Sequence, residues 1–401
     1  MTPRERFFRV LKGEPVERAP FFPDLTTWYQ ASRLGVGAEQ PYFPGQFIPE
    51  DSPLHALPSR SSGRGAPCEA RLAELSFVGL YREFGWGLPA HMYDWFEERF
   101  TGGVEKLVNT KARHRTVTWR TPRGDLVRTY KLDAEGSWSE YGHMVQELSQ
   151  LDIVRTIVEN TRFEPRYERV ERFLRETEGF GICDIVLYRS PFGKLIHEYL
   201  GFEATAYALF DHEPAVLDFL AFQEHHDLAF AALAAAAPGS IVILSDHADE
   251  NLIAPPWYRR FCIPYYRKVC GLLHRAGKFV STHLDGNFRG FLPFIGETGF
   301  DLLDGCTPAP MFNYEVEELA AALAGRPMCC YCGVPAGLLT IGLPTERITE
   351  FGERIVRAFA GRVIVNVGDI LPPTGDIQLV IALGERVRAV AVRPPVGEPP
   401  R

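Results

Sequence analysis

Between residues 278 and 287 the chain reads K-F-V-S-T-H-L-D-G-N. Residues 279–282 are a short β-prone run, His283 and Asp285 follow, and Asp285-Gly286-Asn287 makes a turn. Residues two apart in an extended backbone project to one face, so His283 and Asp285 converge. An imidazole and a carboxylate that meet can hold a metal ion or act as an acid/base pair. The same layout recurs. The apolar run 180–187 ends in Tyr188-Arg189-Ser190, and 241–244 ends in Ser245-Asp246-His247-Ala248-Asp249-Glu250. The run 300–303 ends in Asp304-Gly305-Cys306, 328–331 in Cys332, 362–366 in Val367-Gly368-Asp369, and 19–22 leads to Asp24.

Gathering so many acids demands a cation or shared protons. A divalent metal near His283, Asp285 and Asp369 meets that demand. Cys306 and Cys332 are alternative thiolate ligands to pair with His283, although most buried cysteines are small inert hydrophobes. Glu250 is too long for a good N-cap and reads as catalytic, with Asp246 beside it. Arg189 can hold a substrate carboxylate bidentately, or serve as an ion-pair partner. Asp24, Tyr188, His247 and Asn287 are placed to touch a substrate. Trp28 opens an aromatic-rich stretch to residue 100 that reads either as a packing layer or as a pocket wall for a flat ligand. Plain structural roles compete: Asp246 and Asp249 can cap a following helix, and Asp369 can hold the turn ahead of Leu371-Pro372-Pro373.

The elements that must position these groups alternate. Helices are expected over 2–12, 151–160, 164–178, 194–200, within 213–237, and over 256–276, 316–324, 344–359 and 376–390. Short apolar strands lie between most of them. Alternation of this kind predicts a parallel sheet with right-handed crossovers. Six strands after residue 178 and one near residue 20 fit a (β/α)8 TIM-type barrel with one strand unplaced. No Gly-rich fingerprint follows a strand, which argues against a doubly wound sheet. An irregular and helical N-terminal extension is expected to residue 135, with main βα repeats over 136–395, all as one barrel domain over 1–400. The alternating runs around T-P-R-G-D predict a β-hairpin over 115–131, inserted at one end of the barrel, and 57–67 reads as a surface loop.

The 401 residues are 46% hydrophobic and 23% charged, with a net charge of -8. That balance, with no Lys/Arg block, argues against nucleic acid as a partner. The N-terminus has no signal-peptide core, and the alanine run at 230–237 is too short to span a bilayer. Eight cysteines without a regular framework read as reduced cytoplasmic thiols.

Three segments resemble the uroporphyrinogen decarboxylase superfamily, most closely its corrinoid-dependent methyltransferase branch. They are the opening R-E-R-F-F-R-V-L-K-G-E-P-V-E-R-A-P, the W-R-T-P-R-G-D-L hairpin, and P-P-W-Y-R-R-F-C-I-P-Y-Y-R-K-V on the helix after Pro255. The resemblance implies a TIM-type barrel. It also implies zinc bound through H-x-C at one strand end and a Cys at the last. His283, Asp285 and Asp369 stand at the matching places, so carboxylates replace both thiolates. The decarboxylase branch's last His and its Arg-rich N-terminal motif are absent too, which argues against porphyrinogen decarboxylation. The resemblance thus implies a methyltransferase passing a methyl group, for instance from an O-methyl compound, to a corrinoid, free or on a partner protein. Zinc or another divalent ion would sit at the barrel mouth, and a homodimer is the family-like assembly. The alternatives are a metal-free lyase or decarboxylase of a small carboxylate, and a binding protein that has lost catalysis.

Overall fold

The computed structural model describes residues 1–35, 41–58, 72, 74–133, 136–340 and 342–392. The loop read at 57–67 falls outside the described residues from 59 onward, as do Cys68 and the chain beyond 392.

Among the described residues the strands are β1 (Leu88–Met92), β2 (Phe96–Phe100), β3 (Glu105–Lys111), β4 (His114–Thr121), β5 (Gly124–Leu132), β6 (Trp138–Glu140), β7 (Thr161–Pro165), β8 (Gly181–Leu187), β9 (Ile241–Leu244), β10 (Phe279–His283), β11 (Leu302–Cys306), β12 (Cys329–Gly333) and β13 (Ile364–Asn366). Seven of them form one parallel sheet in the order β1-β8-β9-β10-β11-β12-β13. The circle closes through residues 20–22. Phe22 N donates to Val365 O at 2.9 Å, Val365 N to Pro20 O at 2.9 Å, and Gly87 N to Phe21 O at 3.0 Å. The segment at Phe21 is therefore the eighth stave, wedged between β13 and β1, and the barrel expected from the strand count is present.

Strand alternation gives the interior two characters. At the N-terminal end Phe22, Ile182, Ile241, Leu302, Cys329, Tyr331 and Ile364 pack together, and the helix Pro3–Leu11 plugs that end with Phe7, Val10 and Leu11. Thr2 and Glu5 form the capping box that starts this helix. Two residues further along the same faces stand Asp184, Asp304 and Asn366, and His283 stands four residues beyond Phe279. The chemistry therefore sits at the C-terminal ends of the strands, where barrel enzymes carry it.

The unplaced strand is β1. Pro89 and His91 make it look unlike a strand, because Pro donates no ladder bond. The hairpin read at 115–131 is the centre of a four-stranded antiparallel sheet, β3-β4-β5-β6. A further antiparallel ribbon pairs β2 with β7, so the helix expected at 164–178 begins only at Tyr167. The helix expected at 194–200 is a short α-turn, Pro191–Lys194, followed by one π turn, Leu195–Tyr199.

Candidate metal centre at the barrel mouth

His283 ends β10 and is in register with Asp304 on β11. Its Nδ1 lies 2.7 Å from Asp304 Oδ2, and its Nε2 lies 3.6 Å from Asp369 Oδ1. Nδ1–H therefore donates to Asp304, and Nε2 faces the cavity and Asp369. This carboxylate–imidazole arrangement fixes the tautomer of metal-binding histidines. His247, after β9, stacks its ring edge-on 4.5 Å from that of His283, and its Nδ1 is 3.9 Å from Asp285 Oδ2. Ligand atoms of His247, His283 and Asp285 all lie within 4.8 Å of one another. Ligands 2.0–2.2 Å from a tetrahedral ion sit about 3.4 Å apart, so modest side-chain movement closes the shell. His247 is held at φ +47°, a left-handed backbone that costs a non-glycine residue energy and concentrates at functional sites. Gly305 has φ +75°, and a Cβ there would stand 2.9 Å from His283 Cε1. That position needs glycine on both counts.

A second histidine pairs with the same acids. His91 on β1 is in register with Asp184 on β8, and its Nε2 is 3.5 Å from Asp184 Oδ2 and 3.6 Å from Asp304 Oδ2. The cavity has a volume of about 100 Å³, and Asp24, Tyr93, Asn366 and Asp369 also line it. That volume admits an ion and a group of few atoms, and no macrocycle.

Charges are strongly perturbed. Burial lowers the His283 imidazole, but Asp369, Asp304 and Asp285 outweigh it and hold the pKa up at about 9. Burial likewise lowers His91, yet Tyr93, Asp184 and Asp304 bring it to about 10. His247 is pushed down to about 4 by burial, aided by His283 and Arg189, against Asp285. Asp369 is raised to about 6 by burial, with Asp285 and Asp304 adding to the shift against His283. Asp24 and Asp184 are also raised by burial. Burial raises Asp304 as well, but its bond to His283 and the nearby imidazoles leave it below the usual range. Four carboxylates line one small cavity, three of them forced upward, and form an environment that a dication would relieve.

The structure brings His247, His283, Asp285, Asp369 and Asp24 together. Asp24 also accepts from Thr26 N and Oγ1, just ahead of the helix Thr26–Leu34. Several other candidates lie away from the cavity. Asp246 is fully buried and accepts from Ser190 N at 2.7 Å, Ser190 Oγ at 3.0 Å, and Tyr266 Oη. It is a structural acceptor tying three segments together. Glu250 is spent on Gly290 N and Asn313 Nδ2, and Arg189 pairs with Glu198 at 3.2 Å. Asn287 donates to Asp249, Trp28 packs in the outer core, and Tyr188 lines a different cavity while donating to Glu98 at 2.9 Å. The thiols do not join the cluster. Cys330 and Cys332 point outward into the helix layer by strand alternation. The register of β11 against β12 slips between Leu303 and Cys306, which turns Cys306 outward as well. Burial then raises the Cys332 thiol far above its ordinary range. His91, Tyr93 and Asp184 escaped sequence reasoning. The acid and imidazole in register on β1 and β8 were legible only once β1 was known to be a strand.

Comparison with known proteins agrees with this architecture. The chain is 23% identical over 394 residues to the Methylcobamide:CoM methyltransferase MtbA of Methanosarcina mazei, covering 96% of this chain and 98% of that one. A solved methyltransferase structure from Methanosarcina mazei superimposes with a TM-score of 0.56 at 14% identity, covering 96% and 98% of the two chains, which establishes a shared fold. Residues 140–390, well over half the chain, match the family model Uroporphyrinogen decarboxylase (URO-D), and the chain belongs to that family.

Proposed function

We propose that this protein is a methyltransferase that moves a methyl group from a small methylated compound, with an O-methyl group the first choice, to a corrinoid. A divalent ion, zinc in the first instance, would be held by His247, His283 and Asp285, with Asp369 next to it. The observation that carries this reading is the convergence of those ligand atoms with Asp304 behind His283. The likeness to a methylcobamide methyltransferase supports the reaction class. When bound, the ion supplies Lewis acidity toward a substrate oxygen; imidazole and carboxylate ligands suit oxygen activation better than the thiolates of thiol-activating sites. His247, neutral near pH 7, offers its lone pair without losing a proton. His283 carries a proton that ligation must release. His91 keeps a proton at Nε2, shared between Asp184 and Asp304, and positions both acids. Asp24 and Tyr93 orient a small substrate at the rim. The corrinoid, too large for the cavity, would be presented over the mouth by a partner protein. A homodimer and a cytoplasmic site of action belong to the same proposal. No described helix is long and apolar enough to cross a membrane.

Elemental analysis and methyl transfer to cob(I)alamin test the proposal together, the second followed as methylcobalamin absorbance over a panel of methylated compounds. One divalent ion per chain is expected, with loss of both ion and transfer in His283→Ala. Full activity from metal-stripped protein overturns it. Metal-free protein that transfers no methyl group from any compound yet cleaves a small carboxylate would favour the second reading, a metal-free lyase of a small carboxylate. His91 at about 10 and Asp369 at about 6 could share its proton transfers in the same cavity.

A further inference from the structure

A cavity several times the size of the one at the barrel mouth lies elsewhere among the described residues. It measures about 690 Å³ and shares no lining residue with the metal centre. Its walls are the four-stranded sheet, the β2–β7 ribbon, the helix Glu213–Ala236 and the start of the helical segment after β8. Packed interiors leave few voids larger than a water molecule, whereas small-molecule sites run to several hundred Å³. The wall is aromatic: Trp119, Tyr130, Trp138, Phe163, Tyr188 and Phe230 face it.

Its polar groups are matched only in part. Lys106 pairs with Glu98, Arg128 with Glu140 and Glu198, and Lys194 with Asp227. Arg115 and Arg162 have no carboxylate partner among the described residues. Arg115 instead donates to Thr110 Oγ1 at 3.2 Å and lies 4.4 Å from the Trp138 ring centroid, and Arg162 donates to backbone carbonyls. Gln223 Oε1 and Asp227 Oδ2 are buried acceptors without a donor, on side chains at least nine-tenths buried. Native proteins rarely leave such atoms unanswered. The π turn Leu195–Tyr199 delivers Glu198 and Tyr199 to the wall, and single π turns concentrate at functional sites.

We propose that this cavity is a second binding site, for a multi-ring aromatic ligand carrying an anionic group. The rings lie against the aromatic wall and the anion meets Arg115 or Arg162. The site is independent of the metal centre and of the reaction proposed for it.

The probe is 8-anilinonaphthalene-1-sulfonate, which has rings and an anion, titrated into the full-length protein by fluorescence. Saturable binding of one probe per chain is expected. Ala229, exposed on the cavity's helix wall, becomes Trp in the blocking variant, and binding should weaken about tenfold or more as the space fills. Arg115→Met or Arg162→Met should weaken the sulfonate about fivefold while leaving neutral N-phenyl-1-naphthylamine unchanged. Zinc affinity should not move in any of these variants. Unsaturable binding, or an Ala229→Trp protein that folds and binds as before, overturns the site. Equal effects on both probes in Arg115→Met and in Arg162→Met overturn the anion.

Discussion

Asp304→Asn is the sharpest test of the metal centre, because two effects of opposite sign meet at one residue. In the wild type, His283 with a pKa of about 9 is only about 1% deprotonated at pH 7. If the proposed zinc site exists, proton competition should lower apparent zinc affinity about 100-fold at pH 7, and affinity should climb by about one decade per pH unit up to pH 9. His247, already neutral above pH 5, and Asp369, ionised above about pH 6, add little slope in that window. Replacing Asp304 removes the acceptor that orients His283, a loss typically worth about 10–100-fold in metal affinity. It also removes one of the charges that keep the His283 proton bound, so competition weakens. Near pH 7 the two effects offset and the variant should fall within about tenfold of wild type; near pH 9.5 the full orientation loss should emerge. Zinc titrations against a competing chelator across pH 7–9.5 read both curves. Parallel curves, or a variant equal to wild type at every pH, would refute the role given to Asp304.

Gly305→Ala should cost about 1–2 kcal/mol for the left-handed backbone and push His283 aside, lowering zinc affinity about tenfold or more in the same titration. Cys306→Ser and Cys332→Ser should keep full metal stoichiometry by elemental analysis, since both thiols face the helix layer. Asp246→Asn should destabilise the fold by about 3 kcal/mol in denaturant melts while leaving zinc affinity unchanged. His91 and His283 have folded pKa values above their unfolded value of about 6.5, so their contribution is complete below pH 6.5 and lost as pH rises through about 9–10. Thermal melts of metal-free protein should accordingly fall from pH 7 to pH 10, and His91→Gln should flatten the decline.

The barrel was legible in the sequence because its buried parallel strands are continuous apolar runs with punctuated ends. His283, Asp285 and Asp369 were legible because strand ends of a barrel must meet at one mouth. Glu250, Arg189 and Asn287 misled because sequence shows that a side chain follows a strand, not which loop neighbour satisfies it. The thiols misled for a different reason: a slip in register at Gly305 reverses which face Cys306 takes, and such irregularities leave no mark in residue type. His91 was hidden by Pro89 beside it. Its significance depends on pairing with Asp184, 93 positions further on.

The joint at Phe21 is held, among the described residues, by two backbone bonds to Val365 and one from Gly87, and Asp24, His91 and Asp369, which follow in its strands, line the mouth. Whatever occupies the mouth and draws Asp369 toward His283 therefore also fastens the last stave to the rest of the cylinder. Amide protons of Phe22, Gly87 and Val365 should exchange more slowly once the centre is filled. Occupancy would then be written into the backbone, at the joint where the cylinder closes.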